Sequence, residues 1–182
     1  MAQENPIVLV HGYSDEGESF RKWKQALAGR NYDPARIHIC SYKSLTNEIS
    51  IKDVAEAFER ALRLQAGLGA EQPFDAIVHS TGMLVVRAWH AGYAHRSRRL
   101  KRLIGIAPAS FGSPMAHKGR SFLGAIFKGN REEGPDFLEA GDMILDGLEL
   151  GSRFTWDLAH ADLLGDEAVY GPGSDTPYVF TF

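Results

Sequence analysis

The sequence predicts an α/β protein, a parallel β-sheet with helices on both faces, and three features predict it. Short, continuous apolar runs of the buried-strand kind alternate with stretches whose apolar residues recur at helical spacing. The alternation persists from residue 7 to Pro108, and strand followed by helix at this spacing is how parallel strands are joined. At 182 residues, 44% of them hydrophobic, the chain can bury one sizeable core, and no repeat or low-complexity linker divides it. Residues 1–182 therefore read as a single domain.

The elements follow in order. "IVLV", residues 7–10, is the first strand, and "GESFRKWKQALAG" after it sets Phe20, Trp23 and Leu27 on one helical face. "RIHICSY", residues 36–42, is the second strand. The long helix after it, "ISIKDVAEAFERALRLQAG", lines up Ile51, Val54, Ala55, Phe58, Ala61 and Leu62 and is ended by Gly67 and Gly69. "FDAIVHSTGMLVVRAWH" is a third strand running into a third helix, with Ser80 at the seam. "RLIGIA", residues 102–107, is a fourth strand closed by Pro108, and "YVFTF" at the end reads as another. Between them, residues 111–164 are helical and punctuated by glycine, with apolar faces in "SFLGAIF" and "FLEAGDMILDGLEL". A strandless insertion after the C-terminal end of a strand lies where open α/β sheets place their binding crevice. Residues 111–164 are thus either a helical cap or lid, with Phe122, Leu123, Ile126 and Phe127 facing the crevice, or ordinary covering helices.

Charge and composition narrow the function. A formal net charge of -3 gives no broad cationic field, so nucleic acid is not an expected partner and a small neutral or lipid-like substrate is. The one basic run, "HRSRRLKR" at residues 95–102, reads as a solvated turn or else as a contact for an anionic surface. The single cysteine, Cys40, excludes an intramolecular disulfide and ends an apolar run, as a buried thiol would. No H-E-x-x-H, Cys/His cluster or Gly-rich phosphate loop is present, so neither metal nor cofactor is expected. The N-terminus lacks the basic start and apolar core of a secretory signal, and no stretch approaches the ~18 apolar residues of a membrane span. A soluble, cytoplasmic protein is the expectation, short of a removed leader.

The chemistry gathers at the seam, "VHSTG". A serine where a buried strand turns sharply into a buried helix has its hydroxyl held above the sheet, and the helix N-terminus behind it favours a developing anion. Strand and helix nearly touch there, so small residues are needed two positions either side; Gly82 satisfies this and Val78 does not. Ser80 is accordingly a nucleophile, or else a cap for the helix that starts at Gly82. The first strand ends "VLVHGYSDEG", placing His11, Gly12 and Tyr13 at the same sheet edge. Acyl transfer needs two N–H donors on the oxyanion, one from the residue after the nucleophile, Thr81, and one from this first loop, at Tyr13.

"PIVLVHGYSDEGESF" together with "FDAIVHSTGMLVVRAW" resembles the lipase branch of the α/β-hydrolase superfamily, the triacylglycerol lipases, esterases and related acyltransferases. "IAPASFGSPMAHKGRSF" is similar to that family's Gly-Ser/Thr-Pro-His-x-Gly segment, and "LELGSRFTWDL" to its L-x-x-G-S-x-F-x-x-x-L helix. The resemblance implies Ser80 as the nucleophile of an ester hydrolase and the N–H groups of Tyr13 and Thr81 as its oxyanion donors. Val78 and Met83 depart from the family, which favours small residues there. In that family the acid and the histidine follow the nucleophile at the ends of two later strands, and this sequence stops at "PYVFTF". Three readings stay open: a fragment lacking the C-terminal part of the fold, a base within the insertion, or a hydrolase-fold binding protein that does no hydrolysis.

Of the seven histidines, His79 precedes Ser80 in a strand and points to the opposite face, and His38 lies inside a strand. His90 and His95 are too far along the chain from Ser80. His11 braces the first loop. Only His117 and His160 lie on the insertion, the latter with Asp157 and Asp162 nearby as orienters.

Overall fold

The computed structural model describes residues 5–12, 17–42, 49–93, 99–117, 142–165, 168–170 and 178–182. Its sheet has five strands, β1 (Ile7–Val10), β2 (Ile37–Cys40), β3 (Phe74–His79), β4 (Leu100–Ile106) and β5 (Tyr178–Thr181), in the order β2-β1-β3-β4-β5. Every pairing is parallel. The expected fold class is therefore present, with β1 and β3, the strands that lead into the two motif loops, side by side at the centre.

Strand alternation divides the core. Val8 and Val10 of β1 and Ala76 and Val78 of β3 belong to one cluster, with α2 (Ile51–Leu64) and α3 (Gly82–Tyr93). Ile7, Leu9 and Ile77 point the other way and pack with Ile37, Phe20 and Leu27, the last two from α1 (Glu18–Ala28). All six residues expected on the apolar face of α2 are buried, and its start is fixed by a capping box between Ser50 and Asp53. The Ser50 bonds hold the Asp53 carboxyl below its usual range. On α1 the expected face is narrower than its spacing suggests: Phe20 is buried, but Trp23 is 45% exposed. The sheet under that helix offers only the small cluster around Leu9 and Ile37.

α3 lies between the sheet and further helices, and nine successive residues from Gly82 to His90 are buried. Trp89 stands edge-on to Phe58 at 5.5 Å and donates from Nε1 to Glu59 at 2.7 Å. Glu59 also receives Arg99, and this overturns the solvated-turn reading for part of the basic run. β4 starts at Leu100, two residues before the expected strand, and Arg99 is buried, with its guanidinium 3.1 Å from Glu59 and near the rings of Phe74 and Trp89. A basic run reads as solvent-facing only while its acidic partner, 40 residues away, is out of view.

The insertion is helical where it is described. α4 (Pro114–His117), α5 (Asp142–Leu148) and α6 (Arg153–Ala159), which continues into a π-helical turn (His160–Leu164), follow β4. Ile144, Leu145, Leu148 and Leu158 join the core cluster of α2 and α3. Phe122, Leu123, Ile126 and Phe127, the expected crevice face of a lid, lie outside the described residues. Among the described residues no helix is long and apolar enough to cross a membrane.

Candidate active site

Ser80 is one of few non-glycine residues with a left-handed backbone, at φ 52°. For an L-residue that conformation costs about 1–2 kcal/mol and persists only where the surroundings enforce it. Three backbone bonds enforce it here: Ser80 N–H donates to Ile106 O at 3.2 Å, and Ser80 O accepts from Met83 at 3.2 Å and Ala109 at 3.1 Å. The sharp turn expected from the sequence is thus built from β4 and the loop behind it. Among the described residues the Ser80 hydroxyl has no partner, so it does not cap α3.

The neighbouring glycines show how tightly the parts approach. A Cβ on Gly82 would lie 2.7 Å from Val10 O and 2.8 Å from His11 O, so a side chain there would drive α3 off β1. A Cβ on Gly12 would come within 3.1 Å of Ser80 Cβ. Val78, too large for the motif, is fully buried and pairs in register with Gly105 on β4. The space above Gly105 takes Met83, whose Cε would be 2.7 Å from a Cβ there. The departure at Met83 is therefore accommodated at a glycine.

Thr81 is 4% exposed. Its carbonyl accepts from Val85, its N–H meets no acceptor among the described residues, and its buried hydroxyl has no partner either. The N–H is thus uncommitted beside Ser80, at the start of a helix whose dipole favours negative charge. Tyr13 lies outside the described residues. The turn before it is fixed through His11, which is fully buried: Tyr42 N–H donates to Nε2 at 3.2 Å, Nδ1 faces Gly12 O at 2.9 Å, and Tyr42 hydroxyl donates to His11 O at 2.5 Å. An Nε2 that accepts from a backbone N–H leaves the proton on Nδ1, which donates a hydrogen bond to Gly12 O. The two rings stack at 4.1 Å. His11 braces the first loop, as its position in the sequence suggests.

The remaining candidates separate. His79 continues the Ile77 side of β3 and makes no hydrogen bond to Ser80. His90 is buried, with Nδ1 3.2 Å from the Tyr170 hydroxyl, whose pKa is raised by burial first and then by Asp162. His160 is exposed. The helix before it meets α3 around an apolar cavity of about 410 Å³, where Asp157, Leu158 and Ala161 face Ala88, Ala91 and Tyr93. That is the end of α3 away from Ser80. Asp162 does not orient His160: it is fully buried and grips Arg87, Nε to Oδ2 at 2.7 Å and Nη2 to Oδ1 at 2.8 Å. The sequence reading missed this pair; an arginine amid "MLVVRAW" was the available signal, since a buried guanidinium must be paired. The side chain of His117 and residue His95 lie outside what is described. Cys40 is buried and its thiol is pushed up to about 12, which keeps it inert.

No family model and no curated protein matches the sequence. Solved structures do. Phospholipase PlaB from Legionella pneumophila shares 31% identity at a TM-score of 0.76, over 96% of this chain and 38% of that one. The same phospholipase in complex with thio-NAD gives 30% identity and a TM-score of 0.73, over 96% and 37%. Mature lipase BlEst2 from Bacillus licheniformis, at 17% identity and a TM-score of 0.63 over 100% of this chain and 66% of that one, is a likeness of fold alone. The chain spans 38% of the length of the phospholipase. With a five-stranded parallel sheet, a left-handed serine between its third strand and the helix that follows, and these likenesses, the chain is an α/β-hydrolase-fold protein related to structures of the esterase and lipase kind.

Proposed function

We propose that the protein is a serine hydrolase of carboxylic esters with lipid-like acyl groups, and that Ser80 is its nucleophile. The observation that carries this is the Ser80 backbone, held at φ 52° by three hydrogen bonds while its hydroxyl is left unbonded among the described residues. In this reading Ser80 Oγ attacks the acyl carbonyl and its proton passes to a general base. The carbonyl oxygen becomes an oxyanion received by the N–H groups of Thr81 and Tyr13, with the start of α3 adding its partial positive charge. Collapse of the tetrahedral adduct expels the alcohol, and water then releases the acyl group from Ser80. Of the described histidines, His11 and His90 are engaged elsewhere, His160 sits by the far end of α3, and His79 makes no hydrogen bond to Ser80. The 31% identity with a phospholipase makes a phospholipid the first lipid ester to try, ahead of a triacylglycerol.

Two measurements on the full-length protein test the reading. A fluorophosphonate should add to Ser80 and to no other residue, as read by peptide mass spectrometry. Hydrolysis of a nitrophenyl ester and of phospholipid vesicles should vanish in Ser80→Ala. An unmodified Ser80 and an inert wild type would leave a hydrolase-fold binding protein that keeps the turn as architecture.

A further inference from the structure

We infer that Arg87 and Asp162 are a positioning pair for Ser80, clamping the loop after β4 so that its Ala109 N–H holds the Ser80 carbonyl. This rests on Ser80 being the nucleophile.

A guanidinium in the middle of a buried helix must be satisfied, and Arg87, 4% exposed, spends its donors in two directions. Nε and Nη2 take both oxygens of Asp162, the two-bond geometry that fixes a guanidinium plane. Nη1 donates to the Ser110 carbonyl. Ser110 follows Ala109, whose N–H donates to Ser80 O. The path from Asp162 to the nucleophile is therefore one ion pair, one carbonyl and one peptide, with the Phe111 ring 5.4 Å from the guanidinium. The loop between has little freedom of its own to hold this shape: Ala107 sits at φ 43° and Gly112 at φ 89°. Further backbone bonds anchor it: Ala107 N–H to Phe182 O at 2.9 Å, Ser113 N–H to Leu148 O at 2.7 Å and Gly151 N–H to Phe111 O at 3.0 Å.

Asp162 lies in the π turn that follows α6. Wide turns of that kind are rare and are frequently found at functional sites. The aspartate is fixed again through its carbonyl, which accepts from Tyr170 N–H at 2.9 Å, and Tyr170 in turn meets His90 one turn beyond Arg87. Stability alone does not call for this arrangement, because a buried ion pair is often no better than two apolar side chains of like volume. What the guanidinium adds is direction: it fixes the Ser110 carbonyl relative to the helix that begins at the nucleophile.

The experiment compares wild type, Arg87→Lys, Asp162→Asn and the double variant Arg87→Met/Asp162→Leu, all at full length and well below each melting temperature. The first two keep size while losing the two-bond fork, and the double variant fills the space without charge. The readouts are kcat and KM for a nitrophenyl ester, the rate of fluorophosphonate addition to Ser80, and amide hydrogen exchange at Ala109. A displaced Ser80 should lower kcat and the addition rate on the order of 10²-fold with KM unchanged. Ala109 should lose exchange protection while Val78 and Leu103 keep theirs, also in a double variant as stable as wild type. A double variant with wild-type kcat and a protected Ala109 amide overturns the inference. If wild-type Ser80 ignores the fluorophosphonate, the esterase reading fails, and the exchange at Ala109 still decides whether the pair holds the loop.

Discussion

The turns after β1 and β3 lie side by side at one edge of the sheet, and they are held by opposite means. After β1, side chains do the holding: the His11 ring takes a backbone N–H from Tyr42, faces Gly12 O and stacks on the Tyr42 ring. After β3, backbone does it: Ile106, Met83 and Ala109 fix Ser80, while the hydroxyls of Ser80 and Thr81 meet nothing among the described residues. Polar side chains committed to structure are not available for chemistry. The side chains of the first turn are thus spent on structure, and the hydroxyls of the second are left uncommitted, as the proposed nucleophile requires.

The largest expected effect separates them. Ser80→Ala should remove ester hydrolysis by about 10⁶-fold if a complete triad acts on it. It should leave stability within about 0.5 kcal/mol, since no side-chain hydrogen bond is lost and alanine is no more strained at φ 52° than serine. His11→Ala should show the reverse emphasis. It leaves the Tyr42 N–H without its acceptor and opens a cavity under the Tyr42 ring, costing about 3 kcal/mol in urea unfolding. A His11→Ala protein of wild-type stability, or a Ser80→Ala protein of much lower stability, would erase the distinction.

How far each turn could be read from sequence follows from how it is held. Apolar period alone gives the strands, the six buried positions of α2 and the seam at Ser80, because those depend on neighbours within a few residues. The left-handed backbone at Ser80 is legible because the strand-to-helix motif is local. The bonds that enforce it come from Ile106 and Ala109, and the pair behind them joins residues 75 apart, so only a lone arginine in an apolar helix hinted at it. The burial of Arg99 is illegible for the same reason, its partner Glu59 lying 40 residues back. Gly105 did leave a trace: a glycine inside an apolar strand signals a close approach, and the approaching atom is Met83 Cε. Nothing local to "VHSTGM" reveals that Met83 is accommodated there.

A smaller effect sharpens the view of the second turn. The Thr81 hydroxyl is buried with no partner, a state that costs about 1–3 kcal/mol relative to a hydrogen-bonded one. Thr81→Val keeps the shape and removes the unpaired group, so the protein should gain about 1 kcal/mol in thermal or urea unfolding. Its backbone N–H is untouched, and ester hydrolysis should stay near wild type. A gain in stability accompanied by a tenfold or greater loss of kcat would show that the hydroxyl, too, reaches the oxyanion.

The smallest expected effect tests the strand that delivers Tyr42 to the first turn. His38 sits on β2, in register with Val8, and its pKa lies below the usual 6.5, first because burial disfavours the charged ring and then because Lys24 and Arg36 repel it. The unfolded chain therefore takes up this proton more readily than the folded one as the pH falls. The stability His38 contributes is full above 6.5 and is lost as the pH drops through the lower, folded value. His38→Gln removes that dependence, so its melting temperature should fall less than the wild type's between pH 7.5 and 5, with the two curves converging in shape above pH 7. Parallel curves across the whole range would mean that His38 titrates alike folded and unfolded, and that β2 holds Tyr42 against His11 without any sensitivity to acid.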